Sequence, residues 1–250
     1  MNKQISILII TKNEAANIVR TIEAASQVSD DIELIDSNST DNTVLLAKSL
    51  GTTCITQSWL GYGAQKNIGH KHTKHDWILS IDADEVLSDT LIKKINALNL
   101  SNSNEVFDID FKTFFCNQLV RFGGWNPQHH IRLYNKTNVQ WNTLEVHEQL
   151  NLPANVTITP IQESILHYSY DTLEQYLQKS DNYTTLFAER SYSRGKKSTW
   201  TKRALSPLFT FIKEYIFKLG FLDWKLGFQI AVLNMNYTRM KYSKLHNKYK

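Results

Sequence analysis

The sequence predicts an α/β protein with a mostly parallel sheet flanked by helices and a helical appendage at the C-terminal end. Two patterns predict the sheet. Over the first hundred residues short apolar runs alternate with apolar residues at helical spacing, and the main runs each end in a polar cluster. A third observation, the concentration of Lys and Arg from residue 194 onward, sets the tail apart.

Ile5 to Ile10 reads as a strand ending in Thr-Lys-Asn, after which Ala15, Ile18, Val19, Ile22 and Ala25 mark a helix with Asn13 as its N-cap. Ile32 to Ile35 reads as the second strand, followed by a helix over Thr40 to Leu50 that Ser39 or Thr40 caps. Cys54 to Thr56 gives a short strand and Ala64 to His72 a helix. Trp77 to Ile81 is a buried strand that runs into Asp82-Ala83-Asp84-Glu85 before a helix over Asp89 to Leu98. This repetition implies a parallel sheet covered on both faces. Ligands bind such sheets beyond the carboxyl ends of the strands, where Thr11 to Glu14, Asp36 to Asp41 and Asp82 to Glu85 fall. Beyond residue 105, Phe107 to Phe115 and Ile131 to Tyr134 read as longer strands, separated by a turn at Gly123-Gly124-Trp125 and Pro127.

With 250 residues, 42% hydrophobic and 21% charged, the chain buries a full core and is not a disordered protein. Cys54 and Cys116 stand in no metal or redox spacing, which excludes a disulfide framework and a structural zinc site and favours a reducing, cytoplasmic compartment. The apolar run before Lys12 is too short for a signal peptide or a span. The net charge of +4 hides a split: from Arg194 onward 13 Lys/Arg face 2 Asp/Glu, giving +11, whereas the preceding part has 15 against 22, giving −7. Such a tail suits an anionic partner, a lipid surface or a nucleic acid. Leu205, Leu208, Phe209, Ile212, Ile216 and Leu219 fall on one helical face, and Gly220 ends that helix before a second apolar stretch from Phe221 to Met240. The stretch suits a helix lying in the headgroup region, a hairpin packed on the rest of the protein, or a dimer contact.

Asp82 and Asp84 stand two apart at a strand end, so both carboxylates are expected on one side, a pair of hard oxygen ligands for Mg²⁺ or Mn²⁺. Asp36 can take a base N–H or a ribose hydroxyl, and Gly61-Tyr62-Gly63-Ala64-Gln65-Lys66-Asn67 offers glycines, a helix start and a cation for a diphosphate. Arg121, His129, His130 and Arg132 flank the Gly-Gly-Trp turn and can meet a phosphorylated or acidic sugar, and Trp125 is either a sugar-stacking platform or part of the core.

The order ISILIITKNEAANI, IELIDSNSTDNT, GYGAQKNIG and DWILSIDADEVLS resembles the nucleotide-binding half of family 2 glycosyltransferases, which have a GT-A fold. GGWNPQHHIRLY, VHE and FKLGFLDWKLG resemble a narrower group, the bacterial β-1,4-glucosyltransferases of the lipopolysaccharide or lipooligosaccharide inner core. The chain departs from that group at Trp224, where glycine is common. The resemblance implies a GT-A catalytic domain over 1–170, with a nucleotide-sugar half over 1–100 and an acceptor half over 101–170, and a helical, basic, membrane-associating region over 171–250. It implies Thr11 and Glu14 by the nucleoside, Asp36 on base or ribose, Lys66 near the nucleotide, and Asp82 and Asp84 on the ribose and the metal-bridged diphosphate. It places the catalytic base at Glu148, with Glu145 as rival, and His147 as a metal ligand or orienting group.

The resemblance implies inverting, metal-assisted transfer of a hexose, glucose from UDP-glucose, to a heptose of the lipopolysaccharide or lipooligosaccharide inner core, a lipid-linked saccharide, at the inner face of the inner membrane. A polyprenyl phosphate or another cell-envelope glycan as acceptor is the rival within the enzyme class. A binding protein for nucleic acid or a lipid surface is the rival outside it; it leaves the acidic clusters without a role, and no nucleic-acid-binding motif is present.

Overall fold

The computed structural model describes residues 4–142 and 149–249. Their contacts form two compact units. One runs to Phe111 and resumes over Gln128–Tyr168; the other comprises Lys112–Pro127 and the chain from Ser169.

In the first unit the alternation of strands and helices is as the apolar periodicity predicts. Strands β1 (Ile5–Thr11), β2 (Ile32–Asp36), β3 (Thr53–Thr56) and β4 (Trp77–Asp82) alternate with helices α1 (Ile18–Ala25), α2 (Thr43–Ser49) and α3 (Tyr62–His70). These four strands are parallel, in the order β3-β2-β1-β4. Every residue of β1 and β2 is buried, as a strand covered on both faces requires. β5 (Glu85–Leu87) and α4 (Asp89–Asn96) follow, and Ser88 caps α4 by accepting the Leu91 N–H.

Beyond β4 the sheet is antiparallel. β8 (Gln128–Asn135) pairs with β4 and with β6 (Glu105–Phe115), and β11 (Thr157–Tyr170) pairs with β5. The sequence predicts neither β11 nor this change of direction. Ile7, Ile9, Leu79, Ile81, Ile109 and Leu133 share one core cluster, and Leu8, Ile10, Ile35, Ile78 and Tyr134 a second.

The second unit is mainly helical. β7 (Gln118–Leu119) pairs with the end of β6. Helices α5 (Leu173–Ser193), α6 (Trp200–Ile212) and α7 (Trp224–Asn247) follow, with a π-helical turn Lys213–Phe217 and a 3₁₀ turn Gly220–Asp223 between α6 and α7. Helix α7 packs on α5 and α6, and Phe115, Val120, Tyr176, Ile230 and Leu233 form the core. No helix among the described residues is long and apolar enough to cross a membrane.

Candidate active site

The loops after β1 and β2 close on each other. Asn13 adopts a left-handed backbone, φ 55°. Its N–H donates to Ser39 Oγ at 2.8 Å, and its side-chain oxygen accepts the Thr40 N–H at 2.8 Å. Asn13 is therefore a clasp between loops and not a helix cap; α1 begins later, after Asn17. Ser39 and Thr40 likewise serve this clasp, and α2 follows Asn42 with no side-chain cap. Asp36 is enclosed at the end of β2, where its carboxylate accepts the Ser39 N–H at 2.9 Å. The Glu14 N–H donates to Thr43 Oγ1 at 2.8 Å, and its carboxylate accepts from the Asn17 amide. Thr11 ends β1, its buried Oγ1 without a hydrogen-bond partner among the described residues.

The glycine-containing segment builds most of α3 and draws the strand ends together. A Cβ on Gly63 would lie 2.0 Å from the Asn142 carbonyl oxygen, and one on Gly69 would lie 2.1 Å from Leu8 Cδ1, so both glycines permit a close approach. The Asn67 amide both donates to the Trp141 carbonyl at 2.8 Å and accepts its N–H at 3.0 Å, and Gln65 donates to Ser37 Oγ at 2.9 Å. Lys66 is fully buried, its Nζ 3.4 Å from Asp82 Oδ1 and 4.5 Å from the centre of the Trp141 ring.

Asp82 stands between two cations, since Arg132 Nη2 lies 3.5 Å from its second oxygen. Burial alone would raise its pKa, but the charges of Lys66, Arg132 and His167 outweigh it and lower it to about 2. Asp82 is ionised throughout the physiological range. Arg132 also pairs with the buried Glu85, whose carboxylate accepts the Asp82 N–H at 3.0 Å. Burial pushes the pKa of Glu85 up, against the pull of Arg132. The plane of the guanidinium lies near the Phe111 ring, 5.3 Å from its centre.

Asp84 has different company. Strand β4 ends at Asp82, and Asp84 occupies the turn into β5, so the same-side rule for alternate strand residues does not govern it. The β5–β11 register sets His167 opposite Glu85, and the Tyr168 N–H donates to the Asp84 carbonyl at 2.9 Å. His167 Nε2 thereby lies 3.5 Å from Asp84 Oδ2, with both side chains partly exposed. Burial would lower the pKa of His167, but its hydrogen bond to Asp84 and the neighbouring carboxylates raise it. One carboxylate is thus held by fixed cations, and the next is paired with a partly exposed imidazole. A partly exposed imidazole and carboxylate are ligand types that suit Mn²⁺ or Mg²⁺, although no set of three protein ligands exists among the described residues.

Residues 6–152, which carry all of these strand ends except His167, match the family described as Glycosyl transferase family 2. The chain belongs to glycosyltransferase family 2. A Rickettsia bellii relative named an uncharacterized glycosyltransferase is 33% identical over 240 residues, covering 91% of this chain and 81% of the relative. The Rhizobium meliloti protein named lipopolysaccharide core biosynthesis glycosyltransferase LpsC is 26% identical, covering 89% of this chain and 83% of its own length. The crystal structure of S. aureus TarS in complex with UDP-GlcNAc superposes with a TM-score of 0.51 at 12% identity, over 98% of this chain and 91% of that one. The transferase has a GT-A fold.

In this transferase the expected donor-side residues Thr11, Asp36, Lys66 and Asp82 all stand on the carboxyl-end side of the parallel strands or on α3. Arg132, singled out for an acceptor, belongs to the Asp82–Glu85 cluster. Trp125 packs, partly buried, against Phe115, Tyr170 and Tyr176 at centroid distances of 5.6, 5.8 and 6.1 Å. The Arg121 side chain is exposed, and its N–H donates to Asp223. Glu145, His147 and Glu148 lie outside the described residues, between β9 (Gln140–Trp141) and β10 (Leu150–Asn151), which pair with each other. Sequence reasoning missed His167 and Trp141 and gave Glu85, within the Asp82 to Glu85 cluster, no role of its own. His167 and Trp141 follow no motif spacing; the one available signal for His167 was a polar residue within the apolar Ile165 to Tyr170 run.

Proposed function

We propose that the transferase moves a hexose, glucose from UDP-glucose, onto a heptose of the lipopolysaccharide or lipooligosaccharide inner core with inversion, at the inner face of the inner membrane. The observation that carries the donor half is the Asp82–Asp84 turn, with fixed cations on one carboxylate and an imidazole on the other. The similarity to LpsC over most of both chains supports an envelope saccharide as acceptor.

Asp36 takes the nucleoside, and Thr11 and Glu14 line its loop. Asp82, kept ionised by Lys66 and Arg132, accepts from a ribose hydroxyl. Asp84 and His167 would hold the divalent ion, with His147 as a further candidate; when bound, that ion neutralises charge on the leaving diphosphate. Glu148, or Glu145 three residues before it, takes the proton of the attacking hydroxyl.

The test is turnover of radiolabelled nucleotide sugars by the purified protein, with and without Mn²⁺, followed by Glu148→Gln and Glu145→Gln. Metal-dependent release of the nucleotide with UDP-glucose preferred, and loss of transfer with intact donor binding in Glu148→Gln, is the expected result. Turnover of no nucleotide sugar under any metal condition, or a product retaining the donor's anomeric configuration, rejects the reading.

A further inference from the structure

Between α6 and α7 the chain exposes six large apolar residues within nine positions: Ile216, Phe217, Leu219, Phe221, Leu222 and Trp224. Phe217 is 72% exposed and Trp224 83%, an exposure that folding alone does not reward. The turn is nonetheless tightly built. A Cβ on Gly227 would lie 1.8 Å from the Gly220 carbonyl oxygen, and one on Gly220 would lie 2.6 Å from that of Glu214. Leu219 has φ 59°, and Trp224 has φ 51° with ψ −126°, a combination that favours glycine. A tryptophan in a glycine conformation, with its ring in solvent, is strain that the fold does not need.

Charge says what this surface faces. Lys213, Lys218 and Lys225 are exposed around the apolar residues. Both acids of the stretch lie off this surface: Glu214 is buried against Gly124, 3.8 Å from Lys218 Nζ, and the Asp223 carboxylate accepts the Arg121 and Phe122 N–H groups at 2.7 and 2.8 Å, so Lys213 and Lys225 keep their charge. A symmetric pairing of two copies through this turn would bring both sets of lysines into one interface with neither acid on its surface to offset them. An apolar tip with Trp and Phe and a collar of lysines fits the headgroup region of an anionic bilayer.

We infer that the Ile216–Trp224 turn is a membrane-docking wedge, inserting Phe217 and Trp224 among anionic lipids while Lys213 and Lys225 meet the headgroups. This deepens the proposed reaction on a lipid-linked acceptor by naming the surface that meets the lipid, and it is tested without any sugar transfer. Full-length protein is co-sedimented with vesicles of phosphatidylcholine alone and of phosphatidylcholine mixed with phosphatidylglycerol. Wild type should bind the anionic vesicles more tightly, and rising salt should weaken that preference. Trp224→Gly should lose binding to both vesicle types at least about tenfold, while its melting temperature stays equal or rises, because glycine relieves the backbone. Lys213→Gln with Lys225→Gln should lower anionic binding about twenty-five-fold, about fivefold for each lysine, and leave neutral binding unchanged.

Wild type that ignores anionic vesicles, or Trp224→Gly that binds them as wild type does, overturns the wedge. A wild-type dimer in light scattering that Trp224→Gly dissociates assigns the turn to a second copy and overturns it equally. Nucleotide-sugar hydrolysis in lipid-free solution separates the two readings: intact hydrolysis in a protein that ignores vesicles spares the transferase, and vesicle binding without any hydrolysis spares the wedge.

Discussion

In the first unit the charged groups that matter are inside: Lys66, Glu85 and Arg132 are buried, and each stands beside an opposite charge. In the second unit, large apolar groups are outside, and of the lysines around them Lys213 and Lys225 form no ion pair among the described residues, whereas Lys218 Nζ lies 3.8 Å from Glu214. Burying a charge is costly unless partners replace water, so the first arrangement persists only if every member is present. Leaving an aromatic ring in water forfeits burial energy, so the second persists only if something other than folding selects it. The first unit thus organises electrostatics in its interior, whereas the second leaves apolar surface in contact with water.

The sharpest way to break this contrast is through Asp84. Asp84→Ala should reduce transfer about a thousandfold, since one fixed negative group of the donor site is lost. Metal-dependent donor binding should weaken with it. Wild-type turnover in Asp84→Ala, measured with saturating Mn²⁺, would remove this residue from the site.

Next comes the buried pair. Arg132→Met leaves Glu85 and Asp82 short of a cation and should cost about 3–5 kcal/mol in urea unfolding. The double variant Arg132→Met with Glu85→Leu should recover much of that loss, because no buried charge is then stranded. A single variant as stable as wild type would mean that the cluster is not the charge-dense interior described.

A third measurement concerns Glu33, a buried acid in β2. Burial and the nearby Asp31 raise its pKa from 4.5 to about 7. A raised carboxyl contributes its stability fully below about pH 4.5 and loses it as the pH rises through about 7. Glu33→Gln should therefore match wild type at low pH and exceed it by up to about 3 kcal/mol above pH 7. Equal stability of the two proteins at all pH values would contradict the burial of an ionisable group there.

The smallest effect separates the tail's lysines from one another. Lys244 donates to the Asp181 carboxylate at 2.6 Å and to Thr185 Oγ1 at 2.7 Å, and Lys248 lies 3.4 Å from Glu189, so both tie α7 to α5. Lys244→Gln should lower stability by about 0.5 kcal/mol, and Lys248→Gln by less, because both pairs are open to solvent. Vesicle binding should barely change in either. A large loss of vesicle binding in Lys244→Gln would move the docking charge from the turn to the C-terminal end.

Much of the first unit was legible because its signals are local. Ile5 to Ile10, Ile32 to Ile35 and Trp77 to Ile81 announce buried parallel strands by composition alone, and the acids follow in the chain where the strands end. Asn13 shows where that reading stops. A cap residue before an apolar helix pattern is ambiguous until the neighbouring loop is present, and here Ser39 and Thr40 claim its hydrogen bonds. Trp125 shows the same limit: an aromatic beside a turn serves a sugar or a core equally well on paper, and its packing on Phe115, Tyr170 and Tyr176 is visible only once the chain is folded.

The sequence by itself determined the alternating elements, the glycosyltransferase motifs and the apolar, basic character of the tail, since periodicity, strand-end polarity and charge are properties of neighbours along the chain. Tertiary structure alone decided that Arg132 joins Asp82 and Glu85, that His167 meets Asp84, and that the apolar residues from Ile216 to Trp224 point outward. The physical reason is that pairing across antiparallel strands and the exposure of a turn depend on register and packing between residues far apart in sequence, and no spacing rule encodes either.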